Sequence, residues 1–444
     1  MLEPEKLLSG RVRLYCGDSR DVLRALPAGS IHAVVCDPPY ALVSIRQRLG
    51  KPGAAPIKHG RDGAYARAAA GFMGKTWDTG ETAFSVDFWR EVFRVLVPGG
   101  HVVAFGGTRA FHRLTCAIED AGFEIRDMLL ELAALDPIVG AFVGSLDDAQ
   151  LSAFLRVADL LGMEGVLAWV YGSGFPKSHD VGDGLRGRGA DDAAARFEGW
   201  GTALKPAWEP ICLARKPLAG TVAANVQAHG AGGLNVDGCR VGDEALRAQA
   251  AGQAQLGAFE RSEMVTPERV GRFPANVVLD DSAEVAAAFP ATASGKPGVI
   301  GTGRNDGAAY GAESRSPGTP STGYGDAGSA SRFFYSAKAD ADDRIGSKHP
   351  TVKPVDLMRW LCRLVTPPGG VVLDPFAGTG TTGEAAWREG FDAVLVEREP
   401  EYQADIRRRM ALCTAGAITR KHESLKARGK VADAGPLFGG EAAE

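Results

Sequence analysis

Asp37-Pro38-Pro39-Tyr40 follows a short apolar run, Ile31-His-Ala-Val-Val-Cys36. The run reads as a buried strand that stops at the proline pair, because proline has no N–H to continue a ladder. The two prolines fix the backbone, so the Asp37 carboxylate and the Pro38 carbonyl form a rigid pair of acceptors, with the planar ring of Tyr40 beside them. Two acceptors and an aromatic face suit an exocyclic amino group on a flat base. The same residues also fit a plain strand-ending turn with a surface tyrosine. A second candidate lies far along the chain, at Asp374-Pro-Phe376-Ala-Gly378-Thr-Gly380-Thr-Thr-Gly383-Glu384. There a strand ends at Asp374, a glycine-rich turn follows, and a helix begins near Thr381. Glycines let a backbone pass close under a ligand, and a helix N-terminus offers free N–H groups. Nineteen residues after Gly378 the next strand ends in Glu397, placed to hold ribose hydroxyls.

The glycine turn admits several readings. A P-loop needs lysine where this chain has Glu384, so that reading fails. Gly378-x-Gly380-x-x-Gly383 formally matches a dinucleotide fingerprint, and a tight strand-to-helix turn with no ligand stays open. Asp-Pro-Phe ahead of the turn and the acidic strand end favour a nucleoside without a pyrophosphate. Seven scattered cysteines with no Cys-x-x-Cys pair exclude a disulfide framework or a structural zinc site, and eight histidines show no ligand spacing. No metal is expected. Cys36 reads as a buried strand residue and not as a nucleophile. The N-terminal residues Met1 to Lys6 lack a basic region followed by an apolar stretch, and no long apolar run follows anywhere. The expectation is a cytoplasmic protein with no membrane partner.

The elements that must position these residues fall in two regions. In the first, a helix pattern from Phe84 to Leu96 breaks at Pro98-Gly99-Gly100, a strand covers His101 to Phe105, and a helix runs from Arg109 to Ala121. In the second, a helix from Val355 to Val365 precedes a strand at Val371 to Asp374, a helix ending at Gly390, and a strand at Ala393 to Glu397. Such alternation argues a parallel sheet covered on both faces. Neither region holds enough strands alone, which predicts one α/β doubly wound, Rossmann-like sheet assembled from both ends of the chain.

The chain has 444 residues, room for several domains. With 50 Lys+Arg against 54 Asp+Glu it is no polycation, yet local charge decides nucleic-acid contact. Glycine is in excess, at 58 of 444 residues or about 13% against an average of roughly 7%. Much of it falls in a Gly/Ser/Thr-rich stretch near 297–331. The predicted division is 1–178 and 337–413 for the two halves of the sheet, 179–336 for an irregular, loop-rich inserted module, and 414–444 for a solvated basic tail.

Taken together and in this order, Asp37-Pro-Pro-Tyr40 and Asp374-Pro-Phe-Ala-Gly-Thr-Gly380 resemble the DNA amino-methyltransferases of the N4/N6 family that use S-adenosylmethionine. Catalytic loop first and cofactor loop near the C-terminus resembles the permuted beta group, in its phage-type or solitary members. Gly17-Asp18-Ser19, His349-Pro-Thr-Val-Lys353-Pro354, Gly74-Lys-Thr-Trp77-Asp78, Tyr171-Gly-Ser-Gly-Phe-Pro-Lys177 and Leu204-Lys-Pro-Ala-Trp-Glu-Pro210 resemble further blocks. The resemblance implies that Asp37, Pro38, Pro39 and Tyr40 are catalytic and act on a base flipped out of duplex DNA. It implies that Asp374, Phe376, Gly378 and Gly380 line the cofactor's methionine part with Thr351 and Lys353 beside it, that Glu397 binds ribose, and that Asp18 meets the adenine amino group. Lys353 also fits a surface lysine at a helix entry.

After the catalytic loop, Arg46, Arg48, Lys51, Lys58, Arg61 and Arg67 stand against Asp62 alone. This stretch reads as a loop over double-stranded DNA that contacts phosphate, or as a solvated basic loop. The module 179–336 is then the target-recognition region. About 131–166 is an insertion relative to the resemblance; the spacing of Leu151, Phe154, Leu155, Ala158 and Leu161 predicts an amphipathic helix that serves homodimerisation or decorates the domain. The function implied is adenine-N6 methylation, because aspartate leads the catalytic loop, with cytosine-N4 as the alternative. The enzyme is either solitary or the modification half of a restriction-modification pair encoded separately. From other classes, a catalytically silent DNA-binding relative and a nicotinamide oxidoreductase stay open; the latter leaves Asp37-Pro-Pro-Tyr40 unexplained.

Overall fold

The computed structural model describes residues 3–40, 81–108, 110–132, 168–170, 181–200, 208–246, 249–250, 265–266, 269–279, 289–293, 298–299, 320–321, 327–337, 341–347, 349 and 351–427. Among them, eleven strands join one sheet. From the first half come β1 (Glu5–Leu7), β2 (Val12–Cys16), β3 (Ile31–Cys36), β4 (Leu96–Phe105), β5 (Glu124–Leu132) and β6 (Ala168–Val170). The rest are β7 (Trp208–Arg215), β8 (Val277–Leu279), β9 (Tyr335–Ser336), β10 (Val371–Asp374) and β11 (Asp392–Glu397). Their spatial order is β1-β2-β11-β10-β3-β4-β7-β5-β6-β8-β9. The last two long strands insert between β2 and β3, so both ends of the chain build one sheet. Leu373 registers against Val34 across the β10–β3 seam, and Glu397 against Cys16 across β11–β2.

Consecutive residues of β3 explain the two covered faces. Ala33 and Val35 face one core and Val34 and Cys36 the other, all fully buried. The first core takes α5 (Val355–Val365), α6 (Thr381–Arg388) and α7 (Pro400–Cys413) through Leu357, Ala385, Ile406 and Met410. The second takes α1 (Ser19–Ala25), α2 (Val86–Val95) and α3 (Phe111–Asp120) through Val22, Trp89, Val92 and Ile118. The doubly wound sheet of the sequence reading is therefore observed. At Pro98-Gly99-Gly100 the structure differs from the reading. β4 begins at Leu96, straight after α2, and runs through these residues as a ten-residue strand.

Two further readings need correction, and a third falls outside the described residues. The inserted module does not start at 179 and end at 336, because β7, β8 and β9 from that span belong to the main sheet. β7 is an inner strand, pairing antiparallel with both β4 and β5. Its Ile211-Cys-Leu-Ala214 run is buried, and two neighbours leave none of its ladder to solvent. The helix α4 (Val222–His229) also packs on the sheet's end, where the fully buried Asn225 donates to the Pro98 and Ala231 carbonyls at 2.9 and 2.7 Å. The proposed amphipathic helix within 131–166 lies outside the described residues. The strands flanking it, β5 and β6, pair in parallel with each other, so no sheet strand is displaced there.

The tail after residue 414 is not simply a solvated extension. Residues Ala417–Ala427 form α8, and Arg420 from it pairs with Glu384 of α6 at 2.6 Å. Glu384 is fully buried and also meets Arg409 at 2.8 Å and Arg388 at 2.9 Å. Burial alone would raise its carboxyl; Arg420 and Arg409 outweigh that and hold it below the ordinary carboxylate value. Arg409 in turn donates to the Thr379 carbonyl at 2.7 Å, which ties α7 to the glycine turn. Removing one partner of a buried ion pair strands the others' charge, so Glu384→Ala should cost on the order of 3–5 kcal/mol of stability, measured by urea unfolding. Arg388→Ala, at the exposed side of the cluster, should cost far less.

Candidate active site

Five side chains that the sequence scatters meet along one edge of the sheet. β2, β11, β10 and β3 are parallel, so their carboxyl ends share an edge and carry Asp18, Glu397, Asp374 and Asp37 in that spatial order. Open α/β sheets bind ligands at such an edge, where strand order reverses. β7 runs the other way, so its beginning reaches the same edge. Gly106, just after β4, donates its N–H to the Pro210 carbonyl at 2.9 Å, which seats Glu209 beside the catalytic loop.

At the centre stands Lys353, from the segment leading into α5 and 5% exposed. Its Nζ donates to Glu209 Oε2 at 2.6 Å and to Tyr40 Oη at 2.9 Å, and lies 3.4 Å from Asp37 Oδ2. The ammonium also sits 4.5 Å from the centroid of the Phe105 ring. Burial would lower the lysine's pKa, but the charges of Asp37 and Glu209 prevail and hold it above the ordinary value. Burial pushes Glu209 up, with Lys353 opposing. Burial likewise raises the Tyr40 hydroxyl well above its usual range, with Asp37 and Glu209 adding to it. The other oxygen of Asp37, Oδ1, is buried with no hydrogen-bond partner among the described residues. An unpaired buried acceptor is costly and rare, and a ligand N–H is what would satisfy it. Lys353 is thus in direct contact with the Asp37-Pro-Pro-Tyr40 turn and with Glu209. Glu209 went unnoticed within its sequence block. Its signal was an acidic residue between Trp208 and Pro210 at the mouth of an apolar run.

The glycine turn has the strand, turn and helix of the sequence reading, and its carboxylates are held by internal hydrogen bonds. Asp374 Oδ1 accepts the Phe376 N–H at 3.0 Å and Oδ2 accepts the Thr382 hydroxyl at 2.6 Å, which pins the turn between strand and helix. Glu397 accepts the Gly378 N–H at 2.8 Å and the Glu399 N–H at 2.8 Å. Gly378 is left-handed, with φ +52°, and a side chain there would press on His349 Nε2 at 3.3 Å. A Cβ at Gly380 would meet Ile406 at 3.0 Å, and one at Gly383 would meet Leu395 at 2.6 Å. Those two glycines allow close packing of α6 on α7 and on β11, and Gly380 is itself left-handed, with φ +78°. Phe376 packs its ring 5.2 Å from that of Phe88. Asp18 caps α1, accepting the Arg20 N–H at 2.9 Å, and pairs with the Arg20 guanidinium at 2.8 Å. Thr351 is exposed, and its N–H meets the ring of His349 at 3.3 Å. Cys36 is buried with its thiol pushed well up, first by burial, which suits a core residue. Arg46, Arg48, Lys51, Lys58 and Arg61 lie outside the described residues. Among the described residues no cluster of His, Cys, Asp and Glu could hold a metal, and no helix is long and apolar enough to cross a membrane.

The fold is a doubly wound α/β sheet that gathers acidic residues at the carboxyl ends of four adjacent parallel strands. Residues 313–408 match the family model described as DNA methylase, N6_N4_Mtase. The type II methyltransferase M2.DpnII of Streptococcus pneumoniae is 38% identical over 68 residues, 15% of this chain and 25% of the relative, so the match spans a quarter of that protein's length. Among solved structures, the cytosine-N4-specific PvuII DNA methyltransferase aligns over 95% of this chain and 93% of its own, at 14% identity and a TM-score of 0.40. A complex of M1.HpyAVI with SAM aligns over 90% and 99%, at 12% identity and a TM-score of 0.35.

Burial raises both Asp374 and Glu397 to about 7 against ordinary values of 3.8 and 4.5, with their hydrogen bonds opposing. The folded state thus holds protons that the unfolded chain has released. The stability this contributes is full below the ordinary values and is lost as pH rises through about 7. The melting temperature of Asp374→Asn relative to the unaltered chain should therefore rise between about pH 4 and about pH 7 and level off above that, followed by circular dichroism. A difference that stays flat across that range would show that Asp374 is already ionised in the folded protein.

Proposed function

We propose that this chain transfers the methyl group of S-adenosylmethionine to an exocyclic amino group of a base in double-stranded DNA, adenine N6 being the first reading. The observation that carries it is the buried, unpartnered Oδ1 of Asp37, next to the Pro38 carbonyl at the switch point of the sheet. When bound, the cofactor supplies an electrophilic methyl on a sulfonium. The chain's own residues then have to supply a better nucleophile. An aromatic amine's lone pair is conjugated into the ring. Hydrogen bonds from its two N–H groups to Asp37 Oδ1 and the Pro38 carbonyl would hold the nitrogen towards tetrahedral geometry and stabilise the positive charge that develops on it. Tyr40 would stack on the base.

For the cofactor, the donor set fits. Gly378's left-handed turn and Asp374 would receive the methionine part, with Phe376 and Thr351 nearby, and Glu397 the ribose hydroxyls. A carboxylate has about four acceptor sites, so Glu397 and Asp18 keep capacity beyond the backbone N–H groups they already accept. The basic residues from Arg46 to Arg61 would contact DNA phosphate. Cytosine N4 is the second reading, since two acceptors serve either amine; aspartate at position 37 favours adenine.

Expression in a host lacking DNA methylation, followed by modification-sensitive sequencing, should show methylated adenine at one short sequence. Methylated cytosine at N4 instead would select the second reading, and no modified base would sink both. Asp37→Ala should lower the single-turnover methylation rate by on the order of 10²–10³ while cofactor binding persists.

A further inference from the structure

We infer that Lys353 and Glu209 are a positioning pair for Asp37: Lys353 anchors Oδ2 of Asp37 and the Tyr40 hydroxyl together, leaving Oδ1 for the target amine, and Glu209 takes the lysine's short hydrogen bond so that Asp37 is not consumed in an ion pair. The inference rests on the amino-methyltransfer reading and adds two residues to it.

The distances carry the argument. An ammonium in a full charge-assisted bond to a carboxylate sits at about 2.7–2.9 Å. Lys353 makes such a close bond with Glu209, at 2.6 Å, and a hydrogen bond to the Tyr40 hydroxyl at 2.9 Å, but stops 3.4 Å from Asp37. The ammonium has three donors, and these three acceptors match them in number. With Oδ2 facing the lysine, the Asp37 carboxylate has lost its rotational freedom, and Oδ1 is the oxygen left without a partner among the described residues. A lysine alone in that position would close on Asp37 and weaken it as an acceptor. Glu209, 8% exposed and seated by an antiparallel strand, competes for it. The contact spans the catalytic loop, β7 and the entry to α5, so one ammonium sets the spacing of three distant stretches of chain. The other titratable groups facing Asp37 are Asp374 and Cys36 from adjoining strands and His349 from the segment before α5.

The alternative is a structural salt bridge that merely ties β7 to α5, and the two differ in what they move. The experiment uses the full chain and its variants Lys353→Met, Lys353→Arg and Glu209→Gln. It reads single-turnover methyl transfer to DNA against pH, S-adenosylmethionine affinity by calorimetry, and melting temperature. Lys353→Met should slow transfer about a hundred-fold with cofactor affinity unchanged. The acid limb of its pH–rate profile should move up, since Asp37 then faces Glu209 without a cation between them. Glu209→Gln, nearly isosteric, should move the same limb down, because Lys353 is left to pair with Asp37 alone. Lys353→Arg should recover part of the rate. If the rates fall while the acid limb stays in place, or fall only in step with melting temperature, the pair is structural and the inference is overturned. If Lys353→Met loses cofactor affinity in proportion to rate, Lys353 is a cofactor ligand and the inference is equally overturned. Absence of methyl transfer by the unaltered chain on any DNA would instead overturn the functional reading beneath it.

Discussion

The parallel ladder between Val371–Asp374 and Ile31–Cys36 is the constraint on which the rest depends. These strands come from opposite ends of the chain, and their pairing brings Asp374 and Asp37 to neighbouring positions on one edge. A slip of one residue in that register would exchange the faces of β10, turning Val372 and Leu373 each towards the wrong core. Because the strand is buried on both sides, its register is strongly specified. Everything built on the edge inherits that precision, including the Gly378 turn held by Glu397 and the α6 start held by Asp374.

Two buried charge clusters sit above and behind this seam, and they differ in kind. Around Glu384, arginines from α6, α7 and α8 enclose one carboxylate, and the cluster bolts the glycine turn to the last helices through Arg409. Three guanidiniums face the one carboxylate, and both of its oxygens are paired. Around Lys353, two carboxylates share one ammonium and one carboxylate oxygen remains unpaired. Excess negative charge and an unsatisfied acceptor are what a purely structural cluster avoids. They are tolerable where a ligand with N–H groups and developing positive charge completes the arrangement. The open carboxylate oxygen of Asp37 is what distinguishes this cluster from the one around Glu384.

Legibility followed locality. The helix Val355–Val365 and the strands ending at Asp374 and Glu397 could be placed from apolar spacing and Gly/Pro punctuation, because buried strands and amphipathic helices write their period directly into the chain. Residues Trp208 to Arg215 were harder. An eight-residue run inside a polar, glycine-rich stretch gives no sign of whether it pairs in the main sheet, since its neighbours β4 and β5 lie a hundred residues away in sequence or nearly so. Gly380 and Gly383 show a related limit. A glycine spared for packing against Ile406 or Leu395 looks the same in sequence as one spared for a ligand.

By itself the sequence determined which chemistry was available: the rigid Asp37-Pro-Pro-Tyr40 turn, the strand–glycine–helix turn at Asp374, and an α/β alternation that must bury both faces of a parallel sheet. Each depends on residues adjacent in the chain, where backbone freedom and side-chain period act directly. Tertiary structure alone decided the company those residues keep. Lys353, a cofactor contact or surface lysine in sequence, became the buried cation between Asp37, Tyr40 and Glu209, and Glu209 came beside it because β7 runs against its two neighbours. Such contacts are settled by strand direction and register, which the chain specifies only through the packing of the whole sheet.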